Sequence, residues 1–151
     1  MADAEPSGAS DRLGRARSDS VRHHDLCFGC GQANLFGLQL EVHPSGDGGV
    51  EGRFFVKQDH QGPPGYAHGG VIAAALDEAM ALLVLERGTF AVTGRLEVDL
   101  LAPAPVGTFV HVTAGVEAQG ERTLRLSAEA TAQDGGRIAT AGATFVRVPA
   151  P

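Results

Sequence analysis

Residues 70–87, GVIAAALDEAMALLVLER, are strong helix formers with apolar side chains on nearly every helical face, and Gly88 follows as a stop signal. A helix of this kind is buried rather than laid on a surface. On its N-terminal side stands Gln61-Gly62-Pro63-Pro64-Gly65, a loop, because paired prolines flanked by glycines suit neither a helix interior nor a central strand. Before that loop Leu38, Leu40 and Val42 alternate with Gln39, Glu41 and His43, a turn falls at Gly46-Asp47-Gly48-Gly49, and Val50, Phe54 and Val56 continue beyond it. This predicts a strand hairpin. After the helix Val92, Leu96, Val98 and Leu100 alternate with Thr93, Arg95, Glu97 and Asp99 as far as Pro103-Ala104-Pro105-Val106-Gly107, and three further strands are expected over 110–116, 124–130 and 138–148. The pattern predicts an α+β domain in which a curved antiparallel sheet wraps around a long central helix. One copy leaves part of the helix and the sheet edges uncovered, so a homodimer or homotetramer is expected.

The chain has 151 residues, 43% of them hydrophobic and 20% charged, which is enough for one domain and too little for two. A net charge of -6 argues against nucleic acid as a partner, since binders of a phosphate backbone usually carry a basic excess. The longest apolar stretch, 71–85, is interrupted by Asp77 and Glu78 and falls short of the roughly 20 residues a membrane helix needs. No membrane partner is expected. Residues 1–24 are rich in Ala, Ser, Asp, Arg and Gly without periodicity, so a disordered tail is expected there and a folded domain over 25–151. That segment holds Arg12, Arg15 and Arg17 but no apolar core of a secretory signal, which makes the expected location cytoplasmic. Cys27 and Cys30 are then expected to be free thiols. Their spacing in CFGCG fits a metal site completed by His23 or His24, and it equally fits a structural turn leading into the first strand. With a single cysteine pair the turn is the expectation, and neither a metal nor a cofactor is expected.

The chemistry concentrates at the start of the helix. His68-Gly69-Gly70 lies where the proline loop meets the helix, and Asp77 and Glu78 follow further along. Backbone N–H groups at a helix start are unpaired and stand at the positive end of the helix dipole, while glycine lets a substrate carbonyl approach closely. These features make a candidate oxyanion hole. A carboxylate within an apolar helix is costly unless it is paired, exposed or functional. Helical neighbours of Asp77 include Ala73, Ala74, Ala81 and Val84, so its face is apolar.

HGGVIAAALDEAMA at 68–81, preceded by HQGPPGYA and followed by VTGRLEVDLLAPAPVG, resembles the signature of hotdog-fold acyl-CoA thioesterases of the PaaI-like, 4-hydroxybenzoyl-CoA thioesterase type, and the resemblance spans roughly residues 26–148. It implies that Asp77, nine residues after His68, is the catalytic carboxylate, and that Gly69 supplies the carbonyl-polarising N–H. It also implies a hydroxyl residue early on the next strand, here Thr93, and in some members an Asn or Gln in the loop before the motif. Gly62 holds that loop position and Gln61 is one residue away. His68 supports the loop or moves a proton, and Gly70, Gln61 and Glu78 are candidate substrate contacts. The expected function is hydrolysis of acyl-CoA to a free acid and coenzyme A. A thiolate leaves readily because thiol pKa values lie near ~8.5, so a carboxylate and an oxyanion hole suffice. Asp77 acts either as nucleophile or as general base. Two alternatives stand beside this. One is a hydratase or dehydratase of the same fold, for which His60, Pro64 and Glu78 would be the residues, and the other is a non-catalytic acyl-CoA sensor that does not need Asp77.

Overall fold

The computed structural model of the protein describes residues 20–151. Its long helix, α1, spans Gly69–Glu86, and its strands are β1 (Glu41–Pro44), β2 (Val50–Phe55), β3 (Ala91–Leu100), β4 (Phe109–Gln119), β5 (Thr123–Thr131) and β6 (Arg137–Arg147). The six strands form one antiparallel sheet in the order β1-β2-β4-β5-β6-β3. Short turns join β4, β5 and β6 into the middle of the sheet, and β3, which leaves the helix, pairs with β6 at one edge. The sheet curves around α1, which contacts every strand. This is the hotdog arrangement expected from the sequence.

Ile72, Ala75, Leu76, Ala79, Met80, Leu82, Leu83 and Val84 are buried on α1, while Val71, Ala74, Asp77, Glu78, Ala81 and Leu85 remain half-buried. The helix is therefore not enclosed on all sides: a stripe of it is left partly open. Beneath the buried side lie Ala128, Ala130, Ala139, Ala141 and Ala143, small residues that let the helix settle close to the sheet, with Phe54, Phe145, Leu124 and Leu126 filling the space around them. No helix among the described residues is long and apolar enough to cross a membrane.

The strand pattern departs from expectation in two places. Leu38 and Leu40 are buried, but β1 begins only at Glu41. Their N–H groups donate instead to Phe28 O and Gly29 O at 2.8 and 2.9 Å, and Gln39 between them has a φ of 51°. On β3 the register against β6 shifts between Thr93 and Arg95, a β-bulge around Gly94. The extra residue reverses the alternation. Thr93 therefore pairs with Phe145, and Leu96 and Val98 pair with Ala143 and Ala141, all three partners being buried on the helix side. Val92, read from the sequence as inward, is 54% exposed.

Residues 1–19 of the expected tail lie outside the described residues. The last part of that segment belongs to the domain, because Val21 is buried and bridges to Val42, and Arg22 meets Glu41 at 3.4 Å.

Among the described residues one polar side chain is fully buried. His60 is 2% exposed, accepts the Lys57 N–H on Nδ1 at 3.1 Å and uses Nε2 to hold Gly37 O at 3.1 Å. Burial holds its pKa below the ordinary histidine value. The folded protein thus keeps His60 neutral where the unfolded chain would protonate it, so its contribution is complete above the unfolded value of about 6.5 and is lost as pH falls below it. In urea titrations the wild type should lose stability between about pH 7 and about pH 5, whereas His60→Leu, weaker at neutral pH by about 1–3 kcal/mol for the unpaired groups it leaves, should lack that component.

Candidate functional site

Pro63 and Pro64 keep the chain out of helical geometry until His68, whose φ of -61° and ψ of 137° are still extended. Its side chain then caps the helix: the Gly70 N–H donates to His68 Nδ1 at 2.9 Å. The N–H groups of Val71 and Ile72 reach the His68 carbonyl. In the first turn this leaves the Gly69 N–H without a partner among the described residues, at the positive end of the helix dipole. A groove of about 270 Å³ opens beside it, lined by Gly69 and Ile72 on one side and Leu100, Leu101 and Pro103 on the other. Of the two expected glycines, Gly69 is free to donate, while Gly70 is spent on the cap. His68 is placed as the helix cap.

Asp77 lies on the partly open stripe of α1, and the Thr93 hydroxyl donates to its Oδ1 at 2.7 Å. The bulge at Gly94 creates this contact by turning Thr93 towards the helix. The structure thus brings together two of the residues the sequence singled out. It does not bring Gly69 to them. Eight residues of helix at about 1.5 Å each separate Gly69 from Asp77 by roughly 12 Å along the axis, and no single reacting atom spans that within one copy.

Glu78 points elsewhere. One residue on, it projects about 100° around the helix from Asp77, and its carboxylate accepts from His23 Nδ1 at 2.8 Å and from the Cys27 thiol at 3.4 Å. Its side chain is 12% exposed. Burial alone would raise the Glu78 carboxyl, but the bond and charge of His23 outweigh it and hold it below its usual range. In return His23, bonded to Cys30 and Glu78, is pushed up to about 11. Glu78, expected as a substrate contact, has its carboxylate engaged here by the N-terminal segment. The two residues of the dehydratase alternative have separate partners here, His60 with Lys57 and Gly37, and Glu78 with His23 and Cys27.

The loop explains its own glycine. A Cβ on Gly62 would lie 2.8 Å from the Cα of His68, so the backbone approach there leaves no room for an Asn or Gln. Gln61 is exposed, and its side-chain oxygen holds the Gly65 N–H within the loop.

A family model described as the thioesterase superfamily matches residues 64–139. The chain belongs to that superfamily. Human acyl-coenzyme A thioesterase 13 is 32% identical to it over 89 residues, 58% of this chain and 64% of that protein, so the chain spans less than two thirds of this relative. Among solved structures, the PaaI protein of the E. coli phenylacetic acid degradation operon superposes with a TM-score of 0.69 at 23% identity, over 74% of this chain and 81% of its own. A hypothetical thioesterase of Streptococcus pneumoniae TIGR4 in complex with coenzyme A gives a TM-score of 0.68 at 23% identity, over 72% and 85%. These likenesses establish the hotdog fold. Gly69, Asp77 and Thr93 fall inside the segment matched by the superfamily model, whereas His23, Cys27 and Cys30 lie outside it.

Because His68 Cα is backbone and cannot swing aside, restoring a loop amide by Gly62→Asn should destabilise this superfamily member by about 1–3 kcal/mol, seen as a lowered thermal midpoint, with no gain in any activity.

Proposed function

We propose that the protein hydrolyses acyl-CoA thioesters at a site shared between two copies of the chain. The observation that carries this reading is the 2.7 Å hydrogen bond from Thr93 to Asp77, which fixes a carboxylate on an otherwise apolar helix stripe roughly a dozen ångströms from the unpaired Gly69 N–H. A carboxylate and an N–H donor serve the same carbonyl only if each lies within about 3 Å of the reacting group. A second copy related by a two-fold axis perpendicular to the helix and passing between Gly69 and Asp77 would run its helix antiparallel to the first and bring Gly69 of one copy alongside Asp77 of the other.

Three features support the pairing. The β3 edge has no neighbour among the described strands, the stripe holding Val71, Ala74, Asp77 and Ala81 is only half-covered, and Val92, Leu100 and Leu101 are 53–56% exposed beside it. The groove at Gly69 is smaller than the roughly 300–1,000 Å³ of a complete ligand site, as befits half of one. The human relative is named for acyl-coenzyme A, and the pneumococcal structure holds coenzyme A.

In the proposed reaction the thioester carbonyl oxygen accepts the Gly69 N–H. Asp77 of the facing copy either attacks the carbonyl carbon, forming an anhydride that water later opens, or takes a proton from a water that attacks. The C–S bond breaks, coenzyme A leaves as a thiolate, and the acyl group departs as a carboxylic acid. Thr93 keeps one lone pair of Asp77 occupied so that the other oxygen faces the substrate. The site lies on a dimer, or on each dimer within a tetramer.

Steady-state hydrolysis of a panel of aryl- and alkyl-CoA thioesters tests this. Asp77→Asn should lower kcat by at least ~100-fold with little change in KM. Gly69→Pro deletes the donor on a compatible backbone, since Pro is tolerated at the first helical position and His68 already has the extended backbone that precedes a proline, and its ring requires only the flexible end of Leu100, 2.8 Å from the new Cβ, to shift. It should cost about 10²–10³-fold. Thr93→Val, losing one hydrogen bond to a charged group, should cost about 10–100-fold. A folded wild type that hydrolyses none of the panel but binds coenzyme A esters would overturn the reading in favour of a ligand sensor.

A further inference from the structure

The superfamily match leaves the N-terminal cluster unexplained. His23 Nδ1, Cys27 Sγ, Cys30 Sγ and a Glu78 carboxylate oxygen all lie within 4.8 Å of one another, although they come from the start of the described chain, a tight turn and the middle of α1. We propose that these four side chains bind one zinc ion that fastens the N-terminal segment to α1.

The spacing is that of a tetrahedral shell. Zinc bonds of about 2.3 Å to sulfur and about 2.0–2.1 Å to nitrogen or oxygen set sulfur–nitrogen and sulfur–oxygen separations near 3.5 Å. Cys27 Sγ and Cys30 Sγ lie 3.8 and 3.7 Å from His23 Nδ1, and Cys27 Sγ lies 3.4 Å from Glu78 Oε1. The His23–Glu78 contact of 2.8 Å is a direct hydrogen bond, which an ion between them would open by about half an ångström.

The surrounding chain is built to hold such a shell. The turn from Cys27 to Cys30 is pinned from outside by Leu38 and Leu40, whose N–H groups bond Phe28 O and Gly29 O. A Cβ on Gly29 would lie 2.3 Å from the Glu78 carboxyl carbon, so only glycine lets the carboxylate reach the cysteines. Burial pushes the Cys30 thiol up, and the His23 backbone N–H, which donates to Cys30 Sγ at 3.2 Å, offsets part of that. Cys30 is fully buried.

Donor chemistry selects the ion. Two thiolates exclude magnesium and calcium, which take oxygen ligands, and a mixed sulfur, nitrogen and oxygen set of four suits zinc. Four protein ligands leave no open position, so the site is structural. On binding, the two thiol protons and the His23 proton are released, and the ion faces two thiolates, a carboxylate and a neutral imidazole. Because Glu78 directly follows Asp77, the ion would also anchor the part of α1 that carries the proposed catalytic carboxylate.

The full chain, purified without a metal-affinity step, should contain about one zinc per copy by elemental analysis. After removal of zinc and addition of cobalt(II), it should show sulfur-to-cobalt charge-transfer bands and the intense visible bands of a tetrahedral centre. Cys27→Ser should remove about half of the charge-transfer intensity, one of two thiolates. Glu78→Gln should weaken zinc binding by at least the ~10-fold that loss of an outer-shell partner costs. His24→Ala, whose ring bonds only the Leu26 N–H among the described residues, should change nothing. The wild-type cobalt spectrum decides the matter even if the variants fail to fold. Folded wild type that binds neither zinc nor cobalt, or that retains its cobalt spectrum in Cys27→Ser, would overturn the proposal, and thioester hydrolysis is scored separately from either result.

Discussion

Burying an eighteen-residue apolar helix against a sheet with a single concave face is the constraint on which the rest of this structure depends. The sheet supplies one face only, so the buried stripe of α1 is settled by β-strand packing and the remaining stripe has to be managed by something else. Three devices meet there: the proline loop that starts the helix, the β3 edge with Thr93, and the N-terminal segment with His23 and its cysteines. Each of them gives a polar atom of α1 a hydrogen-bond partner: the Gly70 N–H, the Asp77 carboxylate and the Glu78 carboxylate. The site is thus located where the fold has run out of its own apolar cover.

Two adjacent acids on that helix illustrate how one residue of helical rotation separates roles. Asp77 turns towards β3 and receives one hydroxyl; Glu78 turns towards the chain start and is enclosed by an imidazole and a thiol. The first is left with an unshared oxygen beside a partly open surface, which is what a reacting carboxylate requires. The second is a half-buried group with one oxygen held by both His23 and Cys27, and its removal would leave His23 and the cysteines facing one another without a counter-charge.

Helical and strand periodicity made most of this architecture legible, because the 3.6 and 2.0 repeats of the core report directly on burial. The helix and the strands after it could be read from residues 70–148, and the candidate roles of Gly69, Asp77 and Thr93 followed from the resemblance carried by residues 60–107. What could not be read were contacts made by register or by distant pairing. Alternation placed Thr93 on the outer face with Arg95, and only the bulge at Gly94 reverses that. The Cys27–Cys30 spacing fitted a metal site or a structural turn, and the turn was the expectation; Glu78, which completes the cluster with His23, lies on a helix 48 residues further on, where no local pattern marks it. Gly62 could be recognised as a departure from the related sequences, whereas its cause, the 2.8 Å approach to His68, exists only in three dimensions.

The central claim is that the donor and the carboxylate of each site come from different copies of the chain. It is tested most directly by co-refolding Asp77→Asn with Gly69→Pro, each inactive alone, and measuring acyl-CoA hydrolysis of the mixture. In a mixed dimer one site combines both lesions and the other is intact, so random pairing should restore about a quarter of wild-type activity. If mixed dimers form and the mixture stays as inactive as its parents, both groups act within one copy and the shared site is contradicted.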